Sequence, residues 1–154
     1  MKPKNAFDIL MRKHITPPED ILPKYKLMFD GGSRGNPGLC GAGVVIYRDD
    51  IEVSTISHFI PGKHTNNFAE YTAFIIGMEK AHQLNITSLY VEGDSKLVIN
   101  QCLGKWQTKS PQLIHLNNTA KNLMIQFEYI HLEHILRNYN KRADQLANIA
   151  MDKQ

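Results

Sequence analysis

Four acidic residues stand where a folded chain would bring carboxylates together. Asp30 ends an apolar run and opens a loop of small residues, GGSRGNPG. Asp94 follows a second buried-type run, whereas Glu70 and Asp144 fall in the first turns of two helical patterns. Crowded carboxylates repel one another unless cations neutralise them, and hard oxygen ligands suit Mg²⁺ or Mn²⁺. Two such ions, roughly 3.5–4 Å apart, are the known arrangement for phosphodiester chemistry.

Each acid also has an ordinary structural explanation. Asp94 precedes Ser-Lys-Leu and could cap the helix after it, and Glu70 and Asp144 could favour the positive end of a helix dipole. For any one acid alone, the structural explanation is the better one. All four at strand ends or helix starts, with the small-residue loop beside Asp30, favour a metal site.

The apolar pattern predicts the elements that must position these acids. We predict strands at residues 25–30, 43–47, 52–60, 87–91 and 127–136, and helices at 67–84, 95–103, 111–124 and 139–151. The first three strands are joined by tight turns and the later ones by helices. The order βββαβααβα therefore predicts an α/β fold with a mixed five-stranded sheet, three antiparallel plus two parallel strands, flanked by helices.

Composition is that of an ordinary globular domain. The chain has 154 residues, 42% hydrophobic and 21% charged, with a net charge of +3 that is weak evidence for a polyanionic partner. No run is long enough to span a bilayer, no secretion signal is recognised, and Cys40 and Cys102 match no metal-ligand spacing. We expect a monomeric protein, cytoplasmic or, in a eukaryote, nuclear, that does not bind a membrane.

Residues 1–24 are predicted to be an appendage to a domain of residues 25–154. Ala6, Phe7, Leu10 and Met11 could share one face of a short helix, surrounded by basic residues, and prolines at 17, 18 and 23 suggest an extended linker. We predict that residues 1–20 dock to a protein partner in replication or repair. Packing back on the domain and a disordered basic arm are the alternatives.

Four short motifs contain the acids. They are Asp30-Gly31-Gly32-Ser33-Arg34-Gly35-Asn36-Pro37-Gly38, Thr65-Asn66-Asn67-Phe68-Ala69-Glu70, Gly93-Asp94-Ser95 and Ala143-Asp144-Gln145-Leu146-Ala147. Together they resemble ribonuclease H type 1, in the family's order and near its spacing, over about residues 25–152. The resemblance implies a ribonuclease H-like fold and a metal-dependent hydrolase that cuts the RNA strand of RNA–DNA hybrids, leaving 5′-phosphate and 3′-hydroxyl ends.

The resemblance also implies roles for individual residues. Asp30, Glu70, Asp94 and Asp144 would be the catalytic tetrad on two Mg²⁺ ions, with Mn²⁺ as the alternative metal. Asp30 would bridge both ions, Glu70 and Asp94 would hold the ion near the leaving oxygen, and Asp144 would hold the one that activates water. The loop glycines would let the backbone approach the 2′-hydroxyls of RNA. We predict nucleic-acid contacts for Gly31, Gly32, Ser33, Asn36, Thr65, Asn66, Lys96, Trp106 and Arg137.

Two segments depart from the pattern of many members. Only residues 101–110 lie between the two middle helices, so the basic helical handle is predicted to be missing; Trp106 either makes a smaller contact to the DNA strand or packs at a helix end. The loop before Asp144 is short and has no histidine. Arg137 in this loop either meets a phosphate or is solvated surface charge.

Two other functions compete with this interpretation. A different nuclease of the ribonuclease H superfamily would need a different loop, because the complete GGSRGNPG loop is aimed at 2′-hydroxyls. A non-catalytic hybrid-binding module would be supported by the loss of a tetrad acid, and all four are present.

Overall fold

The structure, a computed structural model, describes residues 24–153. Apart from Lys24, the predicted appendage lies outside this range. The described chain forms nine principal elements: β1 (Tyr25–Arg34), β2 (Gly38–Arg48), β3 (Ile51–His64), α1 (Asn66–Gln83), β4 (Ser88–Gly93), α2 (Lys96–Cys102), α3 (Pro111–Met124), β5 (Tyr129–His134) and α4 (Lys141–Asp152). The predicted order βββαβααβα is confirmed.

The five strands form one sheet in the order β3-β2-β1-β4-β5. β1 and β3 both pair antiparallel with β2, whereas β4 pairs parallel with both β1 and β5. Phe29 of β1 pairs with Gly93 of β4, so the next residue of each strand, Asp30 and Asp94, emerges at the same edge of the sheet. The predicted mixed sheet is confirmed, and it brings two of the acids together.

The first three strands are longer than predicted, and β2 begins at Gly38 rather than at residue 43. β1 continues past Asp30 to Arg34, because the glycine-rich residues pair with Leu39–Ala42 of β2. β3 passes through Pro61 and Gly62, which fall in a register shift: Cys40 pairs with Ile60 and Leu39 with Lys63. A bulge on an edge strand tolerates a proline, which has no N–H to give to the ladder.

The last third of the chain also differs from its predicted boundaries. β5 is shorter than the predicted strand, and α4 begins at Lys141 rather than at residue 139. A 3-10 turn at Arg137–Tyr139 occupies the space between them. The helix carrying Asp144 therefore begins close to this acid.

Helices cover the two faces of the sheet unequally. The main core lies under α1, α2 and α3 and includes Leu27, Phe29, Val44, Phe74 and Leu89. On the other face α4 packs on β1, β2 and β3.

Close contact between α4 and β2 depends on a glycine. A Cβ atom at Gly43 would lie 2.0 Å from the carbonyl oxygen of Ala143. Only a residue without a side chain allows this approach, which fixes the start of α4 and with it Asp144.

A buried polar cluster joins the three helices of the main core. Tyr71 of α1 donates to Oε1 of Gln101 at 2.6 Å, and Nδ2 of Asn117 donates to the Tyr71 hydroxyl at 3.1 Å. Gln101 also donates to the carbonyl of Gln107 at 3.3 Å. The cluster thereby anchors the α2–α3 link, residues 103–110. None of the described helices has the length and hydropathy needed to cross a membrane.

Candidate metal and nucleic-acid site

Three of the predicted acids converge at the edge of the sheet. Asp30, Glu70 and Asp94 each offer a carboxylate oxygen, and these oxygens lie within 4.8 Å of one another. Asp30 belongs to β1, Asp94 directly follows β4, and Glu70 reaches them from α1. This is the cluster that the sequence predicted from strand ends.

Gly31 brings the helix that carries Glu70 close to β1. A Cβ atom here would lie 2.2 Å from the backbone carbonyl group of Ala69, and the Gly31 N–H donates to Oε1 of Glu70. The Gly31 N–H is therefore paired within the protein, and the contact of Gly31 with nucleic acid remains a prediction. Its lack of a side chain is explained by helix packing, and its N–H orients a candidate metal ligand.

Burial and mutual repulsion raise the pKa of two carboxyl groups in the cluster. Asp30 is 8% exposed and Glu70 6%. Desolvation, reinforced by the charges of Glu70 and Asp94, raises the pKa of Asp30 to about 10. Desolvation also raises the pKa of Glu70 to about 7, against the opposing effects of hydrogen bonds from Asp30 and Gly31 and of the charge of Arg137. A divalent cation would relieve this repulsion, so the donor set fits a metal ion.

The fourth acid, Asp144, lies at the wall of the same cavity. It lies close enough to the Asp30 carboxyl group to help raise the pKa of Asp30, and Nδ2 of Asn148 donates to its carbonyl at 3.0 Å and to its Oδ2 at 3.3 Å. The group of oxygens within 4.8 Å does not include it. The four acids thus face one space, with three in close contact and Asp144 set slightly apart.

Two of the ordinary structural explanations fail. Ser95, not Asp94, caps α2, because its Oγ accepts from the Val98 N–H at 3.2 Å. Glu70 lies beyond the first turn of α1, where the helix dipole has little effect. Asp144 does lie in the first turn of α4, so a favourable dipole interaction accompanies its place at the cavity.

Sequence reasoning missed Asn140, which supports the site from behind. This side chain is 1% exposed, and its Nδ2 donates to the Phe29 carbonyl at 2.8 Å and to Oδ2 of Asp94 at 3.1 Å. It therefore connects β1, the third acid and the start of α4. In the sequence, Asn140 is recognisable only as an asparagine just before a helix, a position that suggests a helix cap. In the structure its side chain turns inward and makes no cap hydrogen bond.

A cavity of about 520 Å³ opens over the acids. Five of the predicted nucleic-acid contacts line it: Gly31, Gly32, Ser33, Asn66 and Arg137. Asn36, Thr65, Lys96 and Trp106 are not among its lining residues. The structure thus gathers about half of the predicted contacts around the acids.

Asn36 and Thr65 lie beside the cavity and hold its rim together. The Asn66 N–H donates to Oδ1 of Asn36 at 2.9 Å, and the Ser33 N–H donates to Oδ1 of Asn66 at 2.7 Å. Oγ1 of Thr65 caps α1 by accepting from the Phe68 N–H at 3.2 Å. These bonds fix the β1–β2 turn against the start of α1.

Trp106 lies in the α2–α3 link and is 49% exposed. Packing at a helix end therefore leaves about half of this residue accessible to a ligand. Because residues 103–110 form the whole connection between α2 and α3, the described chain contains no basic helical handle at this position. That part of the prediction is confirmed.

Comparison with known proteins gives consistent matches. A family model described as reverse transcriptase-like matches residues 28–150. The bifunctional protein Rv2228c of Mycobacterium tuberculosis is 45% identical over 130 residues, which make up 84% of this chain and 36% of that protein. The chain therefore spans only about 36% of the length of the first curated relatives it matches.

Two solved structures share the fold over most of their length. RNase H1 from the archaeon Halobacterium salinarum has a TM-score of 0.81 at 38% identity, covering 84% of this chain and 98% of that one. LC11-RNase H1 in complex with an RNA/DNA hybrid has a TM-score of 0.80 at 34% identity, with 84% and 98% covered. Since such matches extend over nearly the whole of solved relatives, the chain belongs to the ribonuclease H type 1 family.

Proposed function

We propose that this protein is a metal-dependent endoribonuclease that hydrolyses the RNA strand of RNA–DNA hybrids, leaving 5′-phosphate and 3′-hydroxyl ends. The observation that carries the proposal is the cluster of Asp30, Glu70 and Asp94, whose oxygens lie within 4.8 Å on the wall of an open cavity. The similar LC11-RNase H1 has been solved with an RNA/DNA hybrid, which supports this class of substrate.

The acids would hold two Mg²⁺ ions, with Mn²⁺ as the alternative. Glu70, Asp94 and Asp144 all help to raise the pKa of Asp30, which supports a role for Asp30 as the ligand shared by both ions. Glu70 and Asp94 would complete one ion's ligands and Asp144 the other's. When bound, the pair of ions supplies an activated water and stabilises the leaving oxygen.

The remaining side chains orient the site and its substrate. Asn140 holds Asp94 from behind and the Gly31 N–H holds Glu70, so both ligands are positioned before substrate binds. Arg137 is exposed, lines the cavity and acts electrostatically on Glu70. Its guanidinium is suited to a phosphate of the bound strand, and Ser33 and Asn66 present the rim to the nucleic acid.

Several finer predictions from the sequence remain predictions. They are the monomeric state, the cytoplasmic or nuclear location, the contacts of Lys96 and Trp106 with nucleic acid, and the division into an appendage of residues 1–24 and a catalytic domain of residues 25–154. The protein partner predicted for residues 1–20 also falls outside the described range.

A substrate panel tests the proposal. Labelled RNA–DNA hybrid, RNA duplex and DNA duplex of one sequence are incubated with the full chain in Mg²⁺, in Mn²⁺ and in excess chelator. We expect internal cuts in the RNA strand of the hybrid, only with metal. Preferential cutting of a DNA duplex would favour another nuclease of the superfamily, and tight hybrid binding without cutting in either metal would favour the non-catalytic module.

A further inference from the structure

One half of a sheet face lies beyond the reach of α4. This helix packs on β1, β2 and β3, whereas β4 and β5 continue the sheet on the far side of β1. Leu89 and Val91 of β4 point into the main core, so the alternate residues point to the α4 side. With their neighbours in register, these residues are Lys26, Tyr90, Glu92, His131 and Glu133, which we call the open face.

The open face combines aromatic and acidic groups. The rings of Tyr90 and His131 stack with centroids 5.0 Å apart. Nε2 of His131 lies 2.8 Å from Oε2 of Glu133, and Nζ of Lys26 lies 3.5 Å from Oε1 of Glu92. Two carboxylates against one lysine leave the face slightly acidic when His131 is neutral. Such a surface suits an apolar segment that carries positive charge.

Burial at the end of β5 points to a covering segment. Tyr129 follows the same alternation as His131 and is only 7% exposed. Among the elements of residues 24–153, β5 packs mainly against β4 beside it and α2 on the core face. The low exposure of Tyr129 is therefore consistent with further atoms on the α4 side of the sheet.

We propose that the open face binds residues 1–23 of the same chain through Phe7, Leu10 and Met11. The described chain enters the sheet at Lys24, directly before β1, which is the neighbour of β4. The 13 residues between Met11 and Tyr25 reach up to about 40 Å when extended. The distance from β1 to β5 is two strand spacings, or about 10 Å, so the linker is long enough.

Charge and tethering both favour this occupant. The first 13 residues carry Lys2, Lys4, Arg12 and Lys13 against the single acid Asp8, which complements Glu92 and Glu133. A tethered segment also binds its own domain at an effective concentration in the millimolar range, an advantage that a separate protein lacks. The apolar set is thus assigned to packing on the domain, in place of the partner predicted for residues 1–20. The assignment does not depend on the proposed nuclease activity.

Hydrogen–deuterium exchange on the full chain tests the contact. Phe7→Ser and Leu10→Ser should each speed exchange in β4 and β5, and each should lower Tm by roughly 2–6 °C, with hybrid cleavage within two-fold of the unchanged chain. Ile9→Ser is the matched control, because residue 9 would lie on the opposite side of a helix that presents residues 7, 10 and 11. Unchanged exchange in β4 and β5 for Phe7→Ser and Leu10→Ser would overturn the proposal.

A cross-link tests which molecule occupies the face. In the full chain, Leu10→Cys combined with His131→Cys should form a disulfide within one chain, whereas Ile9→Cys with His131→Cys should form far less. The native Cys40 and Cys102 are buried and free, so they compete little. Cross-linked dimers would assign the face to a second copy, and no cross-link together with capture of a different protein would assign it to a partner. Either result contradicts the proposal.

Discussion

At the scale of single residues, the site crowds acidic side chains together and away from water, which is unfavourable for their ionised forms. Asp30 and Glu70 are almost completely buried beside each other and beside Asp94. Their raised pKa values reflect the free energy lost when like charges are removed from solvent and crowded together. A bound cation would relieve this repulsion. The crowding that lowers the stability of the metal-free protein therefore also strengthens the binding of a metal ion.

Asp30→Asn should stabilise the metal-free protein. The pKa of Asp30 rises from 3.8 to about 10 on folding, so the folded state holds a proton that the unfolded chain releases. The contribution of Asp30 to stability is therefore present at low pH and is lost as pH rises between those values. Since a rise of only one or two in the pKa already corresponds to about 1–3 kcal/mol, we expect a gain of at least that size at pH 8 and almost none at pH 4.

Thermal unfolding in chelator, measured from pH 4 to pH 8.5, checks this expectation. The difference in Tm between Asp30→Asn and the unchanged chain should widen as pH rises. A difference that is constant with pH, or a less stable variant at pH 8, would show that ionisation of Asp30 does not destabilise the folded protein.

Asn140→Ala should weaken metal binding and cleavage together. The variant removes the donor that holds Asp94 and a hydrogen bond to the Phe29 carbonyl. Loss of such an outer-shell partner typically costs 10–100-fold in metal affinity or activity. We expect the Mg²⁺ concentration for half-maximal cleavage to rise by about 10-fold or more.

A buried asparagine far from the acids separates positioning from simple destabilisation. Asn117→Ala removes a hydrogen bond to Tyr71 within the helix cluster and should cost about 1–3 kcal/mol of stability without changing the Mg²⁺ dependence. If both variants shift the Mg²⁺ dependence equally, Asn140 has no specific role in holding Asp94.

At the scale of elements, the site depends on helices that touch strand backbone directly. α1 approaches β1 at Gly31, and α4 approaches β2 at Gly43. Each contact sets the depth at which an acid, Glu70 or Asp144, enters the cavity. Gly31 thus helps to position Glu70, to which its N–H also donates, and Gly43 positions Asp144 through the start of α4.

Gly43→Ala should therefore destabilise the fold and displace α4. Its Cβ atom would lie 2.0 Å from the Ala143 carbonyl oxygen, a backbone atom that cannot move alone. We expect a loss of about 1–3 kcal/mol, the usual cost of overpacking, measured by denaturant unfolding. Gly32→Ala is the control, because its Cβ would meet only the flexible end of Met151 at 3.1 Å. Equal losses for the two variants would rule out this explanation.

The order of elements could be predicted from the sequence because the apolar residues of each element recur at the spacing typical of a strand or a helix. Tyr25–Asp30 and the run from Phe68 to Ala81 show strand and helix patterns. The acids at their ends could be grouped because parallel strands end at one edge. The extension of β1 through Gly31–Arg34 could not be predicted, since a glycine-rich segment of four residues is typical of a turn.

Other features of the site depend on contacts between distant parts of the chain. That Ser95 rather than Asp94 caps α2 is decided by side-chain orientation, which spacing does not reveal. Asn140 lies 46 residues from Asp94, so nothing local marks it as a partner. The same holds for Gly31, whose small size allows α1 to pack closely against β1.

At the scale of the whole molecule, the acidic cavity and the open face occupy different parts of one sheet. The cavity lies beside the second half of β1 and beyond the carboxyl end of β4, whereas the open face runs along β4 and β5. Because the link between α2 and α3 is short, contacts with a nucleic acid must come from the cavity rim and from scattered basic residues. Binding should therefore be weakly dependent on salt for a protein of this family.

Arg137→Gln should reduce this salt dependence further. Each phosphate neutralised contributes about 0.7–0.9 to the slope of log affinity against log salt, and Arg137 is the arginine that both lines the cavity and acts on Glu70. We expect the slope for a hybrid to fall by about one such contribution, measured by fluorescence anisotropy in chelator. Lys80→Gln, at the far end of α1, is the control; an unchanged slope for Arg137→Gln would mean that this residue contacts no phosphate.

The most direct test of the central claim is cleavage of an end-labelled RNA–DNA hybrid by the unchanged chain and by Asp30→Asn in Mg²⁺. An amide binds Mg²⁺ far more weakly than a carboxylate, and the pKa of Asp30 is raised by all three of the other acids. We expect internal cuts with 5′-phosphate and 3′-hydroxyl ends for the unchanged chain, and no detectable cuts for a variant that is folded and at least as stable. A folded Asp30→Asn variant that retains most of the cleavage rate would contradict the central claim.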